Sequence, residues 1–171
     1  MKTTCLRQLP WMAFLVLAGC GRSELQGPPE LRLGHDECAE CGMMINEERC
    51  ASAAIVEVAG QRRYAMFDDI GCMLDYEHDH RNELRTVDRF LHDHGTKAWI
   101  PASTAVVLYA EAGKLQTPMG SGIVAFADAA AAENARVTYG GKLFDYVGLV
   151  PARRAWLEAR FGEADEPEGR R

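Results

Sequence analysis

Between residues 53 and 91 the spacing of apolar positions changes period twice. Ala53 to Ala59 (A-A-I-V-E-V-A) is β-rich, Gly60-Gln61 supplies a turn and Arg63 to Phe67 returns, which predicts a hairpin. After Phe67 the period lengthens to that of a helix. Asp68 or Asp69 is the expected N-cap, with Ile70, Met73, Leu74 and Glu77 along one side and Cys72 on the adjacent face. Arg85 to Leu91 reads as a third strand, so the order is β-β-α-β. A second, similar order follows. Ala105 to Ala110 and Gly122 to Phe126 are strands, and Asp128 opens an Ala-rich helix to about Arg136 that Gly140-Gly141 closes. Phe67-Asp68-Asp69 and Phe126-Ala127-Asp128 hold equivalent places before the two helices. The fold class expected is therefore α+β, with two small β-β-α-β lobes from a degenerate internal duplication. The first lobe, with a Cys/Met loop, is assigned residues 33–94, and the second, with a Pro-Met-Gly loop, residues 95–150. Pro151 to Phe161 forms a short helix and 162–171 a charged tail, together the unit 151–171. Ile55, Val56, Phe67, Ile70, Leu74, Trp99, Val106, Leu108, Val124 and Phe126 are expected to be buried.

The N-terminus has a different pattern. Lys2 and Arg7 precede a short apolar run, Trp11 to Leu17, too short to span a bilayer. The run ends in Leu17-Ala18-Gly19-Cys20, which resembles the bacterial lipobox, whose cysteine becomes the lipidated first residue. Residues 1–19 are read as a signal peptide, Cys20 as the lipidation site and 20–32, with its Gln-Gly-Pro-Pro, as a disordered tether. The expectation is a domain in the cell envelope, anchored by lipid and facing the periplasm. Gly21 lacks the Asp that would argue for inner-membrane retention, which points to the outer membrane. Loss of Lys2 and Arg7 moves the formal charge from −6 to −8, 17 basic against 25 acidic residues. An acidic chain with no basic stripe gives no support for nucleic-acid binding. No G-x-S-x-G, H-E-x-x-H, phosphate loop or dinucleotide fingerprint is present, so no catalytic apparatus is visible and the chain is read as not an enzyme.

The chemistry concentrates elsewhere. From Cys38 to Met73 lie four of the six cysteines (Cys38, Cys41, Cys50, Cys72) and four of the seven methionines (Met43, Met44, Met66, Met73). Hydrophobic cores use Leu, Ile and Val first and take Met as a gap-filler, whereas thiolate and thioether together suit a soft ion such as Cu(I). The Cys38-x-x-Cys41 pair, followed by Gly42, can turn two sulfurs toward one point and bring Met43 beside them. Outside the cytoplasm the same four thiols could instead form disulfides in three pairings, or an irregular zinc site. A thioredoxin-like role would place the C-x-x-C after a strand at a helix start, and here it precedes the first strand. Met119, in Thr117-Pro118-Met119-Gly120-Ser121-Gly122, stands on a loop tip among residues too small to bury it. It either folds back onto the core or reaches across to the Cys41 loop as a second thioether. Of the two H-D-H triplets, His78 and His80 are expected to be solvated, while His92 and His94 read as solvated polar residues at a strand end or, sharing a strand face, as a chelating pair.

Assembled, the lipobox, C-A-E-C-G-M-M-I, Y-A-M-F-D-D-I-G-C-M, the H-D at 92–93, W-I-P-A at 99–102 and P-M-G-S-G resemble the NosL family over roughly Cys20 to Gly141. The resemblance implies two small β-β-α-β lobes and a lipoprotein copper chaperone that binds Cu(I). It implies delivery toward the tetranuclear sulfide-bridged copper centre of nitrous-oxide reductase, with the associated ABC-type maturation complex as partner. By motif, the ligand positions fall on Cys41, Met43 and Met119. Cys38 joins them as a candidate, with Cys72 and His92 at the edge of the set. The other readings of these residues are a periplasmic thiol–disulfide oxidoreductase and a zinc- or disulfide-stapled scaffold lipoprotein.

Overall fold

In the computed structural model the described residues are 25–161, so the signal peptide, Cys20 and the tail 162–171 lie outside them. The first lobe is a four-stranded antiparallel sheet built from β1 (Ser52–Val58), β2 (Gln61–Phe67), β3 (Arg85–His92) and β4 (Trp99–Pro101), ordered β2-β1-β3-β4. Helix α1 (Ile70–Asp79) connects β2 to β3. The second lobe repeats the plan with β5 (Val106–Tyr109), β6 (Ile123–Phe126), α2 (Ala129–Tyr139) and β7 (Lys142–Phe144), ordered β6-β5-β7. In both lobes the first strand is central, flanked by its hairpin partner and by the strand that follows the helix. The expected β-β-α-β duplication is thus the architecture observed. The caps repeat as well: Asp69 accepts from the Gly71 N–H and Asp128 from the Ala131 N–H.

Several boundaries differ from the pattern-based expectation, each for a local reason. The hairpin turn is Ala59-Gly60, one residue earlier, with Val58 opposite Gln61. Both turn residues take positive φ (50° and 76°), the backbone a two-residue loop needs to match strand twist. Strand β4 pairs with β3, so the first sheet extends beyond the division at 94/95. Trp99, expected in the core, is half-buried because β4 is an edge strand, and Val106 is half-buried at the start of β5. Helix α3 (Tyr146–Phe161) begins five residues before Pro151, which lies inside it. Asp145 starts this helix by accepting from the Gly148 N–H at 2.7 Å, a cap that the proline obscured as a start signal. The tether's end is also not free, since the Tyr64 hydroxyl on β2 donates to the carbonyl of Gly27 at 3.0 Å.

The lobes share one core. Phe67, Ile70, Met73 and Leu91 from the first pack with Val107, Ile123 and Ala125 from the second and Leu149 of α3. The alternate residues Leu108, Val124 and Phe126 face the other way, onto Ala132 of α2 and Cys50 of a short 3₁₀ turn (Glu48–Cys50). Both faces of the second sheet are therefore covered, and β5 and β6 read as unbroken apolar runs. Asp93, just past β3, links the lobes: its carboxylate accepts from the N–H groups of Gly95 (2.9 Å), Thr96 (2.7 Å) and Ala127 (2.6 Å).

Candidate metal centre

The Cys38–Met43 segment is a tight turn closed by its own backbone. The Cys38 N–H donates to the Met43 carbonyl (2.8 Å) and the Gly42 N–H to the Cys38 carbonyl (2.9 Å). Gly42 sits at φ 73°, a conformation that favours glycine. The Ala39 N–H donates to the Met66 carbonyl at 2.8 Å, pinning the turn against β2. This buries Cys38, leaves Cys41 half-buried, and leaves Met43 and Met44 54% and 51% exposed.

Asp68 and Cys72 meet this turn from below. Asp68 is the last residue before the cap of α1, and Cys72 lies in that helix's first turn. The ligand atoms of Cys38, Cys41, Asp68 and Cys72 all lie within 4.8 Å of one another. The Cys41 Sγ is 3.9 Å from each Asp68 carboxylate oxygen, and all four thiols in the described residues are free. The set is electrostatically uneven. Hydrogen bonding from the Cys72 thiol, helped by backbone N–H groups, lowers the Cys38 pKa to about 6, while the same bond and burial raise that of Cys72. Burial raises Cys41, and it pushes Cys50, outside the cluster, up to about 12. Protons still held by these sulfurs are ones that a bound metal displaces.

The adjacent residue, Asp69, holds the other half of the site. Its fully buried carboxylate caps α1 and also accepts from Thr117 Oγ1 (2.6 Å), the Met119 N–H (3.2 Å) and the Ser121 hydroxyl. The Pro-Met-Gly loop therefore hangs from the residue next to the one that faces Cys41. Gly71 makes the approach possible, because a Cβ there would lie 2.7 Å from the Ser121 Cβ. Met119 does not fold back onto the core. It is 45% exposed at the loop tip.

The structure thus gathers Cys38, Cys41 and Cys72 into one cluster, and it sets Met43 on the same turn as Cys41 and Met119 on a loop tied beside Asp68. It does not bring His92 there. β1 lies between β2 and β3, which puts the end of β3 two strand spacings, about 10 Å, from the end of β2. His92 is instead buried against Trp99, ring centroids 3.8 Å apart, with Nδ1 3.0 Å from the Lys97 carbonyl oxygen. His94 packs against Phe126, ring centroids 5.8 Å apart. His80, expected to be solvated, is half-buried, with its ring on Tyr76 at the end of α1. Asp68, read beforehand as a helix cap, is the member that sequence reasoning missed. The signal was present in the doubled Asp68-Asp69, since a helix start needs only one capping carboxylate.

Fold and site together define a small two-lobed α+β protein with three thiols and a carboxylate gathered where the lobes meet. The NosL family model matches residues 32–152, well over half the chain, and the protein belongs to that family. Among solved structures it is similar to the crystal structure of the copper chaperone NosL from Shewanella denitrificans, with 18% identity and a TM-score of 0.55. That match covers 73% of this chain and 99% of the other, and it shows the shared fold. No curated protein matches the sequence.

Proposed function

We propose that this protein is a Cu(I) chaperone, anchored through Cys20 in the cell envelope, the outer membrane in preference, and facing the periplasm. It delivers copper for the copper-sulfide centre of nitrous-oxide reductase, working with the ABC-type maturation complex of that enzyme. Copper is its cargo and the protein a carrier, with no reaction of its own. The observation that carries this reading is the cluster of three thiols, whose half-buried member Cys41 is flanked by the exposed thioether of Met43. Family membership and a relative described as a copper chaperone support it. Cys41, Met43 and Met119 hold Cu(I) at the surface, with Cys38 behind them. Soft sulfur donors favour Cu(I), and a partly open set leaves room for an acceptor's ligand to enter before the ion departs.

Met119→Leu tests the reading because it keeps volume and apolarity and removes only the sulfur. Anaerobic Cu(I) titration against a competing chelator should show an unchanged fold and weaker copper binding. Equal affinity in variant and wild type would remove Met119 from the site. The thiol–disulfide oxidoreductase alternative expects no effect of this substitution.

The carboxylate of Asp68 favours one second reading, a structural zinc site, since three cysteines and a carboxylate make a closed tetrahedral set. Direct competition separates the two: the chaperone keeps Cu(I) in the presence of excess Zn(II), and a zinc site does not bind Cu(I) through Met119.

The anchor has its own test. Cys20→Ser should release the folded protein from membranes into the soluble envelope fraction. Full retention in the membrane fraction would rule out the lipid at Cys20.

A further inference from the structure

The donor set is larger than one Cu(I) ion uses. Three thiols and two thioethers make five sulfurs, and they differ sharply in depth. Cys38 and Cys72 are 2% and 6% exposed, Cys41 is half-buried, and Met43 and Met119 are 54% and 45% exposed. We propose that the centre has two Cu(I) positions sharing Cys41: an outer one with Met43 and Met119, and an inner one with Cys38 and Cys72. This rests on the Cu(I) reading given above.

Geometry supports the inner position. Three sulfurs around one metal at the usual thiolate length of about 2.3 Å lie about 4 Å from one another. The cysteine sulfurs here already lie within 4.8 Å of one another, so less than an ångström of contraction closes the trigonal set. Asp68 is within the same radius, but its hard oxygen is a poor partner for Cu(I). It remains beside Cys41 as a neighbour of the bridging sulfur.

Charge supports the second ion. One Cu(I) held by three thiolates leaves a net charge of −2 on the copper–sulfur unit, beside the buried Asp68 carboxylate, and buried charge is costly. A second Cu(I) on the Cys41 sulfur reduces this to −1, at the N-terminal end of α1 where negative charge is favoured. The step balances without a change of oxidation state: the thiolates of the three cysteines take two Cu(I) ions, and each proton still on sulfur goes to solvent. Because the bridging sulfur is the half-buried one, an ion caught by the thioethers passes inward by exchanging ligands around Cys41.

Native mass spectrometry of anaerobically loaded protein counts the ions, and copper X-ray absorption reports whether two coppers are adjacent. The expected result is a monomer with two Cu(I) at saturation and a copper–copper scattering path. Cys72→Ser should then saturate at one ion and lose that path. Met119→Leu should keep the inner ion and lower the affinity for the other. Saturation of the wild type at a single Cu(I) would overturn the two-position proposal and leave the chaperone reading standing. No Cu(I) binding at all would overturn both. Because the wild-type count decides the matter, the test holds even if Cys72→Ser fails to fold.

Discussion

Cys41→Ser is expected to lower Cu(I) affinity by several orders of magnitude with little loss of stability. The substitution exchanges a soft thiolate for a hard hydroxyl at the residue that faces both the buried thiols and the surface. Cys38 and Cys72 remain, but they lie beneath the surface and lose the sulfur that connects them to it. Stability should hold because Cys41 is half-buried and its thiol meets the Asp68 carboxylate only at 3.9 Å, a long contact whose loss costs little. Chelator competition beside a thermal melt reads both quantities. Wild-type affinity in a folded variant would show that copper does not depend on this residue.

The largest stability effect is expected from Asp69→Ala. The wild-type carboxylate is fully buried and satisfies the Gly71 and Met119 N–H groups and the hydroxyls of Thr117 and Ser121. Truncation removes the cap of α1 and leaves buried donors unpaired. At about 1–3 kcal/mol for each such donor, and with Thr117 and Met119 able to regain water, the loss should be about 3–5 kcal/mol. Urea unfolding measures it as a lower midpoint. The variant also unties the Met119 loop, so its Cu(I) affinity should fall even under conditions where it stays folded. An unchanged midpoint would show that the loop and the lobe do not depend on this carboxylate.

Much of this frame was legible in the residues alone, and the failures follow a pattern. The first hairpin, α1 and α2 were visible because each changes the hydrophobic period and each helix opens on an aspartate. Strands β4 and β7 were not, because Trp99–Pro101 and Lys142–Phe144 are three residues long and too short to show any period. Pro151 hid the true start of α3, since a proline inside a helix reads like a first-turn proline. At the site, sulfur density pointed to the Cys38 turn, and the small neighbours of Met119 gave away its exposure. The separate tasks of Asp68 and Asp69 could not be read. Two adjacent carboxylates look alike in a sequence, and only the turn from strand to helix sends one toward Cys41 and the other toward Thr117 and Ser121. The H-D-H triplet at 92–94 misled for a related reason, because β3 ends at His92 and the chain then turns.

The duplicated frame has a bearing on how cargo can leave. By position before and within the two helices, Ala127 stands where the first lobe has Asp68, and Ala131 where it has Cys72. No cysteine occurs after Cys72, so the second lobe attains the same strand order and the same capped helix with no thiol at all. Small metal-dependent domains such as zinc fingers couple folding to their ion and collapse when it is taken away. Here the architecture stands on apolar packing, and the thiols are an addition to one copy of it. Giving up the metal therefore need not mean unfolding: the emptied protein keeps its shape and is ready to be loaded again.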